Sequence, residues 1–168
     1  MGELAEAGVL IIGYGNVLRG DDGVGWLAAR ELQRYFRDDD DVAVIAAQQL
    51  TPEMAEAVSQ SRFVLFLDAS CGEQPGSIQS KPVLPEDGRL RFTHRVMPAT
   101  LLATAQQLYG ATMPAMSMTL AAWSFELDTE LSSGAKARLP EFIRQAKEIV
   151  ASHRQLSEIC PNVCSPAE

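Results

Sequence analysis

Two periods of apolar positions alternate along the chain. Val9, Leu10, Ile11 and Ile12 form an unbroken apolar run, the pattern of a strand covered on both faces in a parallel sheet between helices. Val24, Leu27, Ala28, Leu32, Tyr35 and Phe36 then recur at helical spacing, leaving Arg30, Gln33, Arg34 and Arg37 to water. The four acids at 38–41 oppose the dipole at that helix's C-terminus, so they mark its end and read as a solvated turn. Val42, Val44 and Ile45 predict a second strand. Thr51 as N-cap and Pro52 at the first helical position predict a short second helix to about Gln60. The apolar block 63–67 predicts a third strand that ends at Asp68.

The second half is less regular. Glycine and proline punctuate 69–91, so that stretch reads as loops with short extended pieces near 78–83 and 90–92. Pro98 opens a helix with Leu101, Leu102, Ala105 and Leu108 on one face and Gly110 as its C-terminal cap. Between 115 and 122, Met116, Met118 and Leu120 alternate with Ser117 and Thr119, as in a strand with one face better buried. Residues 123–133 read as a connecting loop. Leu139, Phe142, Ile143, Ala146, Ile149 and Val150 then predict an amphipathic helix, with Pro140 in its first turn or kinking it. The expected fold class is α/β: a three-layer α/β/α sandwich around a mostly parallel twisted sheet, of phosphorylase/hydrolase-like type. One domain is expected over 1–168, with an ordered core over about 8–154 and a tail over 155–168.

Charge narrows the partners. With 14 basic and 22 acidic residues the formal charge is −8, which repels nucleic acid and anionic membranes and suits a cation or a basic segment. No leader pattern is present and no apolar run approaches the roughly 20 residues that span a bilayer, so a soluble cytoplasmic protein is expected. Cys71, Cys160 and Cys164 form an odd set with no disulfide framework, as in a reducing compartment. Cys160 and Cys164 lack further ligands nearby and read as an incidental tail.

The stretch VLIIGYGNVLRGDDGVG, residues 9–25, carries the candidate chemistry: a strand, a glycine-spaced loop, two carboxylates and a helix start. Asp21 reads as the helix N-cap. The loop lacks the Gly-Lys-Ser/Thr ending of a phosphate-binding loop, and Leu18 stands where the dinucleotide fingerprint needs a glycine. There is no G-x-S-x-G elbow and no serine or cysteine with an evident base, so a covalent acyl-enzyme is not indicated. Asp22 follows the first strand, Asp68 ends the third and His94 lies in a later loop. If those strands are parallel neighbours, two carboxylates and an imidazole gather beyond their carboxyl ends as an incomplete shell for Zn²⁺, Ni²⁺ or a similar ion. Taken singly, Asp68 reads as a turn cap, His94 as an exposed loop residue and Cys71 as a loop thiol without function.

GYGNVLRGDDGVG closely resembles the N-terminal signature of the hydrogenase maturation proteases, which trim the C-terminal extension of nickel–iron hydrogenase large-subunit precursors. The resemblance continues through QQLTPEMAEAV, VLFLDAS, FTHRVMPATLLATAQQLYG and SFELDTELS, in order along nearly the whole chain. It implies a metal-dependent endopeptidase, a hydrolase of aspartic type that activates another enzyme. It also implies that Asp22, Asp68 and His94 recognise Ni²⁺ supplied by the precursor, with Zn²⁺ or Cd²⁺ as in vitro substitutes. The implied partner is the nickel-loaded precursor. Asp22 and Asp68 are the implied catalytic carboxylates acting through the metal, with Asp21 or Asp22 handling a proton. The chain departs from similar LTPE-containing relatives at Gln48, where they carry histidine. Two other classes fit the residues: a non-catalytic metal- or precursor-binding maturation factor, and a small-molecule hydrolase or phosphorylase of similar architecture.

Overall fold

The computed structural model describes residues 8–72, 74–86 and 96–159. His94, the extended piece expected at 90–92, and Cys160 and Cys164 lie outside them. The elements in chain order are β1 (Val9–Tyr14), α1 (Val24–Tyr35), β2 (Val42–Ala47), α2 (Met54–Ser59) and β3 (Phe63–Ser70). They are followed by β4 (Ile78–Pro82), α3 (Pro98–Tyr109), β5 (Ala115–Ala121) and α4 (Ser133–Ile159). The strands form one sheet in the order β2-β1-β3-β5-β4. Four run parallel, and β4 pairs antiparallel with β5 at the edge. The expected α/β class and mostly parallel sheet are present.

Successive side chains of a strand point to opposite faces, so an unbroken apolar run supplies two cores at once. Val9 and Ile11 of β1, with Phe63, Leu65 and Leu67 of β3, pack with Ala28 and Leu32 of α1 and Phe142, Ala146 and Val150 of α4. Leu10 and Ile12, with Val64 and Phe66, pack on the other face with Val58 of α2 and Leu101, Leu102 and Ala105 of α3. Each fully buried Leu, Ile or Phe here contributes about 1.5–3 kcal/mol relative to exposure. That is the force that makes the middle strands all-apolar.

Several boundaries differ from the sequence expectation. α2 begins at Met54 behind Glu53, not at Pro52 behind Thr51; residues 51–53 form the preceding turn, with the Met54 amide donating to the Thr51 carbonyl. β3 does not end at Asp68 but continues to Ser70, because Asp68, Ala69 and Ser70 pair with Thr119, Leu120 and Ala121 of β5. α4 starts at Ser133, six residues before its periodic stripe begins at Leu139, so Pro140 lies in the helix interior rather than its first turn. α3 has the expected ends, with Pro98 at its start and Gly110 closing it at φ 66° with its amide on the Gln106 carbonyl, but Leu108, expected on its apolar face, is 67% exposed where the helix runs past the sheet's core. Among the described residues no helix is long and apolar enough to cross a membrane.

The acids at 38–41 are more than a solvated turn. Asp38 and Asp40 are exposed, but Asp39 meets Arg154 of α4 at 2.7 Å, and Asp41 meets both Arg154 and Arg62 while accepting the Gly8 amide. This ties together the turn before β2, the start of β1, the entry to β3 and the far part of α4. Pairs this exposed contribute at most about 1 kcal/mol each, so their value lies in fixing where those segments sit.

Two measurements follow from this frame. A Cβ on Gly25 would stand 2.3 Å from the Leu67 carbonyl oxygen and 2.5 Å from that of Tyr14, so α1 rests on sheet backbone with no room for a methyl group. Gly25→Ala is expected to destabilise the protein by about 2 kcal/mol or more in urea unfolding; a change under about 0.5 kcal/mol would show that α1 can shift freely. His153 stacks on Phe63 with ring centroids 4.0 Å apart, and partial burial together with the Arg62 charge holds its pKa below the usual 6.5. The unfolded chain therefore takes up the proton first. The His153 contribution is complete above about pH 6.5 and is lost as pH falls through the window below it. Thermal melts between pH 7.5 and 5.5 should show a shallower decline in His153→Phe than in the parent, and equal slopes would remove His153 as the cause.

Candidate functional site

In a doubly wound sheet a crevice opens beyond the carboxyl ends of the strands where the strand order reverses. Here that place is between β1 and β3: the chain passes from β1 outward to β2, then returns to the other side of β1. The loop after β1 and the last residues of β3 therefore face each other. Gly25 brings the start of α1 down onto the carbonyls of Tyr14, the last residue of β1, and Leu67, the last residue of β3 paired with β1. Gly15, at φ 143°, turns the loop so tightly that a Cβ would lie 1.8 Å from the Asp22 carbonyl oxygen.

Asp22 and Asp68 come together as expected from a parallel β1–β3 pair. Both line one cavity of about 160 Å³, with Tyr14, Gln48, Cys71 and Met97 among its other walls. Asp22 is half-buried, and its Oδ2 accepts the Asn16 amide at 2.8 Å. No other hydrogen bond reaches its carboxylate among the described residues, so Oδ1 keeps its lone pairs. Asp68 is also half-buried, and its Oδ1 accepts the amide of Ala69 at 2.8 Å. Two larger depressions, about 420 and 450 Å³, lie along α4 and contain neither acid. The two acids make the smaller cavity the candidate site.

The metal set is incomplete among the described residues. No three His, Cys, Asp or Glu side chains there converge well enough to hold an ion, although exposed Cys71 shares the cavity wall with both acids. The expected third member, His94, lies outside the described residues; Val96, two positions later in the chain, lines the cavity. Gln48 lines it too.

Asp21 has a different role from the N-cap expected of it. Gly20–Gly23 forms a 3₁₀ turn, and α1 starts behind Gly23 with no side-chain cap. Asp21 is instead 1% exposed and points away from its own helix. Its Oδ2 accepts the Trp123 amide at 2.8 Å, the Ser124 amide at 3.3 Å and the Ser132 hydroxyl at 2.8 Å, while Oδ1 accepts the Ser132 amide at 2.7 Å. The Ser132 hydroxyl in turn accepts the Ala135 amide, which makes Ser132 the cap of α4. One buried carboxylate thus fastens the β5–α4 connection to the loop carrying Asp22.

That connection is the part of the site which periodicity misses. Its backbone pairs with the loop after β1: the Gly20 amide donates to the Asp128 carbonyl, the Asp128 amide to the Leu18 carbonyl and the Asp21 amide to the Ser124 carbonyl. Phe125 reaches the cavity from it. The signal available in the sequence was Ser132 followed by Ala135 in helical register with Leu139 and Phe142, a capping serine ahead of a stripe whose first apolar member is small.

No family model matches the chain and no curated protein matches it. Solved structures do. The NiFe hydrogenase maturation protease HycI from Thermococcus kodakarensis KOD1 superposes with a TM-score of 0.69 at 22% identity, over 85% of this chain and 92% of that one. The hydrogenase maturating endopeptidase HybD from E. coli gives 0.65 at 19% identity, over 88% and 92%. A hydrogenase 2 maturation peptidase from Thaumarchaeota archaeon SCGC_AB-539-E09 gives 0.61 at 21%, over 84% and 97%. The chain has the fold of these proteins over most of its length.

Removing the Asp21 carboxylate would strand three backbone amides and the cap hydroxyl of α4. Asp21→Ala is expected to cost about 3 kcal/mol in urea unfolding, and Asp21→Asn to recover only part of it, because one oxygen becomes a donor facing donors. A loss under about 1 kcal/mol for Asp21→Ala would sink the anchoring role.

Proposed function

We propose that this chain is a cytoplasmic endopeptidase that removes the C-terminal extension of a nickel–iron hydrogenase large-subunit precursor after nickel insertion. The observation that carries the reading is the meeting of Asp22 and Asp68 in one cavity at the β1–β3 switch point, in a fold shared with maturation proteases. The likeness in GYGNVLRGDDGVG and VLFLDAS supports it, since those motifs supply these two acids.

In this reading the nickel belongs to the substrate and acts as a checkpoint: an unloaded precursor offers the carboxylates no cation and is not positioned for cleavage. Asp22 and Asp68 face the precursor's metal with hard oxygen donors, and His94 adds a borderline nitrogen. Water is the nucleophile, in keeping with a cavity lining that, among the described residues, holds no serine and only the exposed Cys71. The choice between the adjacent acids for proton handling falls on Asp22. Asp21 has both oxygens occupied and is sealed from solvent, whereas Asp22 keeps Oδ1 available at the cavity. The tight loop at Gly15 and the Asn16 amide hold that carboxylate in place before substrate arrives.

The test is cleavage of nickel-loaded precursor followed by intact mass. The parent protein should release a short C-terminal peptide, and Asp22→Asn and Asp68→Asn should slow release by about 100-fold or more with unfolding midpoints near the parent's. Unchanged rates in both variants would remove the site assignment. Tight binding of the precursor by the parent without any mass loss would identify a non-catalytic maturation factor instead.

A further inference from the structure

The loop after β1 and the β5–α4 connection meet as one short parallel pairing, with Arg19 and Asp128 as bridge partners. Leu18 and Leu127 each stand one step before that pair, and the Asp128 amide donates to the Leu18 carbonyl at 3.2 Å, so the two residues sit on neighbouring backbone segments. Both are exposed, Leu18 by 53% and Leu127 by 87%, the latter the most exposed large apolar side chain among the described residues. Single exposed leucines are ordinary; here two stand on neighbouring, hydrogen-bonded backbone segments. The Asp21 carboxylate locks the connection at Trp123, Ser124 and Ser132. The same connection reaches the site: Phe125, two residues before Leu127, lines the cavity, and Met97, 52% exposed, lies on its wall.

Charge decides among possible occupants. Leu127 is flanked by exposed Glu126 and Asp128; Glu126 has no ion-pair partner among the described residues, whereas Glu130 farther on is already paired with Lys136. A second copy of a chain with formal charge −8 would bring like charges together, and an anionic lipid surface would do the same. An extended peptide carrying an apolar residue next to a basic one satisfies both the leucines and the acids.

We infer that Leu18 and Leu127 form a docking ledge for the precursor, seating an apolar side chain of the segment that leads into the cavity while Glu126 and Asp128 meet a basic neighbour. The inference rests on the endopeptidase reading for the identity of the partner and adds the surface by which it is held. The ledge acts on binding and does not touch the reacting atoms.

The experiment compares nickel-loaded precursor binding and cleavage across the parent, Leu18→Asp, Leu127→Asp, Glu126→Lys and, as a surface control, Leu108→Asp at the 67%-exposed far end of α3. Leu127→Asp and Leu18→Asp should each raise KM about tenfold or more with kcat within about twofold, as expected for losing one seated apolar side chain. Glu126→Lys should weaken binding severalfold and flatten its salt dependence, while Leu108→Asp should behave as the parent. If the parent cleaves and both ledge-leucine variants keep its KM, the ledge is overturned while the endopeptidase reading stands. If the parent binds without cleaving and Leu127→Asp loses binding, the ledge stands and the endopeptidase reading falls. A parent that neither binds nor cleaves the loaded precursor overturns both.

Discussion

A carboxylate taken out of water must find donors, and Asp21 finds all of its own on a segment more than a hundred positions away in the chain. Three backbone amides and one hydroxyl converge on it, all uncharged, so the β5–α4 connection has a single placement that satisfies the buried charge. Much else depends on that. The hydroxyl which donates to Asp21 also caps α4, the helix whose Phe142, Ala146 and Val150 close one face of the sheet. The connection lies along the loop after β1 and brings Phe125 to the cavity. Asp22, the next residue, inherits its position from a neighbour with no part in binding. Two adjacent aspartates thus do different work: one is spent on architecture so that the other stays available.

Backbone contact complements this anchor. Gly25 sets the start of α1 directly on the carbonyls of Tyr14 and Leu67, and Gly15 folds the loop against the Asp22 carbonyl. Side chains at either position would push the helix from the strand ends and open the crevice. The strand order then does what no local feature can: with β1 between β2 and β3, the loop after the first strand faces the end of the third, and the two acids meet across 46 positions of sequence.

The two ends of the sheet are built differently. At the end where β1 begins, Asp39 and Asp41 are matched by Arg62 and Arg154, an arrangement that fastens strands to α4. At the cavity end, Asp22 and Asp68 each accept a backbone amide, and Met97 and Phe125 line the same cavity. Matched charges suit a scaffold; half-buried carboxylates on a partly apolar cavity wall are what the proposed reading assigns to a cation-bearing substrate. The functional reading draws on this contrast as well as on the fold.

The sequence alone determined the layers: all-apolar runs at β1 and β3 demand two covering faces, and the helical stripes of α1, α3 and α4 supply them, so the class was legible from pattern, whereas the facing of Asp22 and Asp68 waited on the strand order that set β3 beside β1. Cap chemistry was legible where it is local, as at Pro98 and Gly110, and misleading where a side chain had a distant alternative. Asp21 has the residue type and place of an N-cap, but its orphan-donor partners lie in another loop, and nothing within one helical turn reveals that. Asp39 and Asp41 likewise read as solvent-facing until Arg62 and Arg154 are brought beside them. The start of α4 was hidden because its first turns bury only Ala135, too small to raise a periodic signal. Tertiary structure decided these points because each is a pairing between segments far apart in the chain, and the free energy of a buried charge depends on what surrounds it in space.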